Sequence, residues 1–243
     1  MKLIPVLPNE KERIEALKSY GILDTPPEAE YDALTSLASK ICGTPISLIT
    51  LVDDTRQWFK SAHGTEVRET PREHAFCTHA ILNPQETLVI PDLRKDERFW
   101  DNPLVSGDPH VVFYAGVPLT DNNGFAIGSL CVLDVKEHRL NEFQLNALRT
   151  LAGQVVTIMQ LQRRNKNIQT FQKLLEERIT ELEEAVRLTI TTAPAVNQLT
   201  QTLAALQQNH AATLSAEGKE LAEKAEKTAF RISGVLEQVR GMG

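Results

Sequence analysis

The chain has 243 residues, 42% of them hydrophobic and 24% charged, enough for one large folded domain or two small ones. Its net charge of −6 gives no general attraction to nucleic acid or to an anionic membrane. No segment approaches the ~20 apolar residues that span a bilayer, MKLIPVLPNE lacks the apolar run of a signal peptide, and Cys42, Cys77 and Cys131 have no CxxC spacing. A secreted disulfide framework is therefore not expected, and the expected compartment is cytoplasmic.

Composition divides the chain. Every Cys, Trp and Tyr, and every Pro except Pro194, lies before residue 161; Leu, Ala, Glu, Gln, Thr and Lys dominate after it. The shift predicts a globular part over 1–160 and a helical part over 161–243.

In chain order, Asn9 and Glu12 have the spacing of a capping box, with Ile14, Leu17 and Tyr20 on one helical stripe and Gly21 to close it. Glu28–Cys42 reads as a second helix through Tyr31, Leu34, Leu37, Ala38 and Ile41, stopped by Gly43 and Pro45. ISLITLVD at Ile46–Asp53 predicts a buried strand, paired with Gln57–Ser61 so that Trp58 and Phe59 point to opposite faces. Phe76–Leu82 reads as helix, Leu88–Ile90 as a strand ended by Pro91, and Asp101–Pro109 as loop. Val111–Leu119 and Ala126–Asp134 predict a hairpin about Asp121-Asn122-Asn123-Gly124, where Asn-Gly supplies positive φ. Strands and helices mixed without βαβ alternation predict an α+β fold with an antiparallel sheet.

From Asn141 the pattern is helical. Phe143, Leu145, Leu148, Leu151, Val155, Ile158 and Leu161 continue as Ile168, Phe171, Leu175, Ile179, Leu182 and Val186, and Leu161, Ile168, Leu175 and Leu182 fall at heptad spacing. Such a stripe predicts a coiled coil, most simply closed by a second copy of the chain. Pro194 predicts a helix break. A second stripe follows through Leu199, Leu203, Leu206, Leu214, Leu221, Ala225, Ile232, Val235 and Val239. Two antiparallel arms about Pro194 or one kinked rod both fit.

The blocks YGILDTPPEAEYDALTSLA (Tyr20–Ala38), RQWFKS (Arg56–Ser61), ETPREHAFCTHAI (Glu69–Ile81), LVIPDLRKDERFWDNPLV (Leu88–Val105) and VVFYAGVPLTDNNGFAIGSLCVLD (Val111–Asp134) together resemble the GAF family of small-ligand sensor domains. The resemblance spans roughly residues 9–160 and keeps the blocks in order. It implies a central antiparallel sheet flanked by helices, with a ligand pocket on one face.

Several clusters carry candidate chemistry. His74, Cys77 and His79 could ligate zinc or iron, with Cys131 or Asp92 as a further ligand. The competing reading makes Cys77 a small buried hydrophobe and His79 a hydrogen-bonded pocket residue, so no metal is assigned. The resemblance brings two covalent chemistries into view. Bilin-binding relatives attach their pigment through a Cys followed directly by His, whereas here Thr78 intervenes. Free methionine sulfoxide reductases of this fold use loop cysteines, whereas these three sit in predicted helix and strand. Asp92, Asp96, Arg98, Asp101 and Asn102 form a polar cluster in which capping is the simpler role, with Asp92 and Arg98 the candidates to face a ligand. Phe76, Trp100, Phe113 and Tyr114 are the aromatics of the implied pocket region. His210 lacks the following acid of a phosphoacceptor histidine and falls on the helical stripe, where it would set register.

These readings converge on a regulatory protein without a catalytic domain of its own. It would bind an unidentified small ligand at Phe76, Cys77, His79, Asp92, Arg98, Trp100, Phe113 and Tyr114, form a homodimer through its C-terminal helices and act on a protein partner. No nucleic acid partner, membrane span or assigned cofactor is expected. The alternatives are a thiol-dependent reductase of the free methionine sulfoxide type, and a structural dimerisation adaptor with an empty pocket.

Overall fold

The computed structural model describes residues 7–210 and 216–240. Two compact units divide at Lys166/Asn167.

The first unit is built on a six-stranded antiparallel sheet. Its strands are β1 (Ile46–Val52), β2 (Arg56–His63), β3 (Glu69–Pro71), β4 (Leu88–Ile90), β5 (Phe113–Thr120) and β6 (Ala126–Asp134), in the spatial order β3-β2-β1-β6-β5-β4. The helices before and between them are α1 (Glu10–Ser19), α2 (Ala29–Cys42), the single turn α3 (Cys77–Ala80) and the single turn α4 (Pro103–Ser106). The long helix α5 (Glu142–His210) follows, and then α6 (Ala216–Arg240).

Strand alternation sorts the core into two layers. On one face Ile49, Leu51, Trp58, Phe113, Ala115, Val117, Leu130 and Val132 pack with Leu17 of α1, Tyr31 and Ala38 of α2, and Leu148, Leu151 and Val155 of α5. On the other, Leu48, Val52, Phe59, Tyr114, Cys131 and Leu133 meet Phe76, Cys77, Ile81, Leu93, Phe99 and Val105 from α3 and the segments around it. Trp58 and Phe59 thus separate as their sequence positions predict. Gly43 closes α2 in the left-handed conformation, φ 71°, its N–H donating to the Ser39 carbonyl. At the β5–β6 turn Gly124 has φ 87°. There the Asp121 carboxylate accepts from the N–H groups of Asn123 and Phe125, at 2.8 and 3.0 Å.

Four local expectations change. Asn9 makes no side-chain cap on α1. Glu10 instead pairs with the buried Arg13 and, at 2.7 Å, with Arg72. A reciprocal capping box forms at the start of α5, where Asn141 accepts from the Gln144 N–H at 2.9 Å and Gln144 accepts from the Asn141 N–H at 3.0 Å. Helix in the Phe76–Leu82 region is limited to Cys77–Ala80, and the loop after Trp100 contains α4, capped by Asn102 and started by Pro103. Finally, α5 passes through Pro194 without interruption. Proline removes one hydrogen-bond donor and crowds one carbonyl, and the turns on either side hold the helix despite that loss.

In the second unit, Val196, Leu199 and Leu203 of α5 share a groove of about 480 Å³ with Leu221, Ala225, Thr228 and Ile232 of α6. The two helices therefore lie against each other along this groove. Leu199, Leu221 and Ile232 remain 60, 65 and 45% exposed, so this pairing alone does not bury the stripe. Leu214 and the side chains of Leu206, His210 and Val239 lie outside the described residues.

Candidate functional site

The residues that come together are those facing α3. Cys77 opens this one-turn helix and points its sulfur at the sheet, 3.8 Å from the Cys131 sulfur of β6. Tyr114 of β5 donates its hydroxyl to Cys77 Sγ at 3.3 Å. The paired residues Thr50 of β1 and Ser129 of β6 stand on the same sheet face, their hydroxyls 3.3 Å apart. Strand geometry explains the convergence. Ser129 and Cys131 are two apart on one face of β6, while Thr50 and Tyr114 occupy that face on the neighbours β1 and β5. Gly116 is required here, because a Cβ at that position would overlap the Tyr114 hydroxyl. Phe76 packs beside this centre, its ring tilted against Tyr114 at 5.5 Å and edge-on to Phe99 at 5.3 Å.

Burial raises the cost of charge on Cys77, but hydrogen bonds from Cys131, Ser129, Thr50 and Tyr114 outweigh it and draw the thiol down to about 7. Cys131 moves the other way: burial, then the neighbouring Cys77, push its thiol well up. Tyr114 is likewise raised by burial and by the adjacent sulfurs.

His79 sits at the rim, half-buried, its ring 4.6 Å from Phe99. Burial and the Arg98 guanidinium lower its pKa to about 4, partly offset by Asp96. The unfolded chain would take up this proton near pH 6.5, so between pH 6.5 and 4 it binds more protons than the folded chain. Stability should therefore fall as pH drops through that window, and His79→Gln should flatten the fall in a urea-denaturation series. A folded-state titration of the His79 ring near 6.5 would contradict this.

The other candidates lie elsewhere. His74 is 3.6 Å from Glu73, so His74, Cys77 and His79 turn to three different neighbours. Among the described residues no group of three or more His, Cys, Asp and Glu gathers around one point. The Asp92 carboxylate caps the 3-10 turn Leu93–Lys95, and its bonds from Arg94 and then Lys95 hold it well below the usual carboxylate range. Arg98 makes a two-point pair with Asp96. Asn102 caps α4 and donates to the His74 carbonyl at 3.1 Å. Asp92 and Arg98 thus spend their bonds on loop structure. Trp100 is 57% exposed, and Phe113 lies on the opposite sheet face from Tyr114, 5.1 Å from the His138 ring. Thr50 and Ser129 are the site members that sequence did not single out. The polar Thr50 within the apolar run of β1 was the available signal.

A second polar constellation joins the sheet to the long helix. Lys60, with its side chain fully buried, donates to Thr25, the Pro26 carbonyl and Glu28. The other Glu28 oxygen accepts from Gln162 of α5, whose carbonyl oxygen accepts from Tyr31 at 2.8 Å. Arg163 covers the Tyr20 ring at 4.3 Å.

This fold accords with the family comparison. The GAF domain model matches residues 26–159, more than half of the chain, and the chain belongs to the GAF domain family. A stretch of 130 residues, 54% of this chain, is 38% identical to a cyclic di-GMP phosphodiesterase of Pseudomonas aeruginosa. The match covers 22% of that protein, so the chain spans about a fifth of its relative's length. Similar solved structures include the blue-light absorbing form of the Thermosynechococcus elongatus PixJ GAF domain, at 14% identity and TM-score 0.46 over 71% of this chain and 98% of that one. Another is the GAF domain region of a Geobacter sulfurreducens protein, at 20% identity and TM-score 0.44 over 62% and 97%. A third is the type II free methionine-R-sulfoxide reductase of Thermoplasma acidophilum, at 13% identity and TM-score 0.41 over 54% and 94%.

Proposed function

We propose that the protein is a dimeric sensor: a small ligand binds on the α3 face of the sheet, and α5 transmits the change to a protein partner. One observation carries this reading. Up to Met159, α5 contributes Leu148, Leu151, Ala152, Val155 and Met159 to the core of the GAF domain. Beyond it the same helix presents Leu161, Ile168, Leu175 and Leu182 at 52, 55, 45 and 63% exposure. A helix that is core at one end and an open heptad stripe at the other suits a transmitter, with a second copy closing the stripe.

The Lys60–Glu28–Gln162 network supports the coupling, because it ties β2 and the start of α2 to α5 just where the stripe opens. The single turn of α3 is the short element whose displacement would admit a ligand beside Cys77, His79 and Tyr114. The relative named as a cyclic di-GMP phosphodiesterase supports a regulatory role, since a similar module there occupies a small part of a longer chain.

Thermal unfolding of the full chain across cyclic mono- and dinucleotides, haem, zinc and methionine sulfoxide tests the proposal. A ligand that binds only the folded state raises the midpoint in proportion to RT ln(1 + [L]/Kd). One chemical class is expected to raise it in a concentration-dependent manner. If every class leaves the midpoint unmoved, the protein is better read as an adaptor with an empty pocket.

A further inference from the structure

We propose that Cys77 and Cys131 form a reversible dithiol–disulfide pair, oxidised by a hydroperoxide. Their sulfurs are already 3.8 Å apart, in van der Waals contact, whereas a disulfide needs ~2.05 Å. Closing that gap calls for a small side-chain and backbone shift on one partner. Cys131 is anchored, because its strand is paired on both sides, to Leu48 of β1 and Gly116 of β5. Cys77 begins a helix of four residues, so the movement falls on α3.

The surroundings divide the labour between the two thiols. The Tyr114 hydroxyl donates to Cys77 at 3.3 Å and favours its thiolate, the form that attacks a peroxide. The thiolate sulfur would attack the outer oxygen of the hydroperoxide and the O–O bond would break. Cys77 becomes a sulfenic acid, and the alkoxide leaves as alcohol or water with the proton the thiol gave up. The Cys131 sulfur then attacks the Cys77 sulfur as the S–O bond breaks, and the departing hydroxide takes the Cys131 proton to leave as water. Two electrons pass from the two sulfurs to the peroxide, and an external dithiol can return them. Cys42, the third thiol, is buried in the other core layer and raised by that burial to about 11. It serves as an internal control.

The experiment is hydrogen peroxide treatment of the folded full-length chain, followed by alkylation in denaturant and non-reducing peptide mapping. The expected product has lost two hydrogen atoms in mass, contains a Cys77–Cys131 linked peptide and is alkylated at Cys42 alone. Dithiothreitol should restore all three alkylations. In Cys131→Ser, oxidation should stop at a Cys77 sulfenic acid that dimedone traps. In Cys77→Ser neither the link nor the dimedone adduct should form. The map of the unaltered chain decides even if a variant fails to fold. Cys77 and Cys131 both alkylated after oxidation, or both carried to sulfinic acid without linking, would overturn the proposal.

Discussion

Tyr114→Ala is expected to lower the stability of the chain by about 3–5 kcal/mol, the cost of deleting a large aromatic from a closed core. Tyr114 is fully buried in β5, between β4 and β6. Its ring packs on Phe76, its hydroxyl reaches Cys77, and Gly116 leaves the room it occupies. Truncation would leave a cavity between the sheet face and the α3 layer packed on it. Tyr114→Phe keeps the ring and removes one hydrogen bond, so about 1 kcal/mol is expected. Urea denaturation of the three proteins measures both values. An alanine variant within 1 kcal/mol of the parent, about the worth of the lost hydrogen bond alone, would show that the ring is not a core element.

The second large effect is on association. Leu175 and Leu182 are one heptad apart, and both are exposed in a single chain. If a second copy covers them, Leu175→Asp combined with Leu182→Asp buries uncompensated carboxylates in the seam. The expected cost is several kcal/mol, enough to turn a micromolar dimer into a monomer at working concentrations. Sedimentation velocity should show that change while the near-ultraviolet signal of Trp58 stays intact. An unchanged dimer would mean that other surfaces hold the two copies.

Much of the first unit was legible because its local rules act over a few residues. The hairpin follows from Asn123-Gly124, the end of β4 from Pro91 and the stop of α2 from Gly43. Trp58 and Phe59 separate by the period of two along β2. That same period, applied to Phe113 and Tyr114, would have split them across the sheet. Other differences arise where one element answers to distant partners. Asn9 makes no side-chain cap on α1, and the part-buried Glu10 beside it pairs with Arg13 and with Arg72. Pro194 does not end α5, since a helix of 69 residues can lose one bond and keep its neighbours.

The candidate site shows the same division. Cys77, His79 and Tyr114 could be chosen from sequence as polar or aromatic residues in the family's ligand region. That Cys131 meets Cys77, and Thr50 meets Ser129 on the same face, depends on strand order, which places β6 between β1 and β5. Asp92 and Arg98, the two of that cluster picked out to face a ligand, each pair with a residue two positions away, Arg94 and Asp96.

The central claim is that a ligand-binding GAF domain drives a helix-mediated dimer, and native mass spectrometry of the purified full-length chain addresses both halves at once. The account predicts the mass of two chains and, with the ligand class that raises the unfolding midpoint, an added small-molecule mass that gentle activation removes. A single-chain mass that no ligand class alters would contradict it.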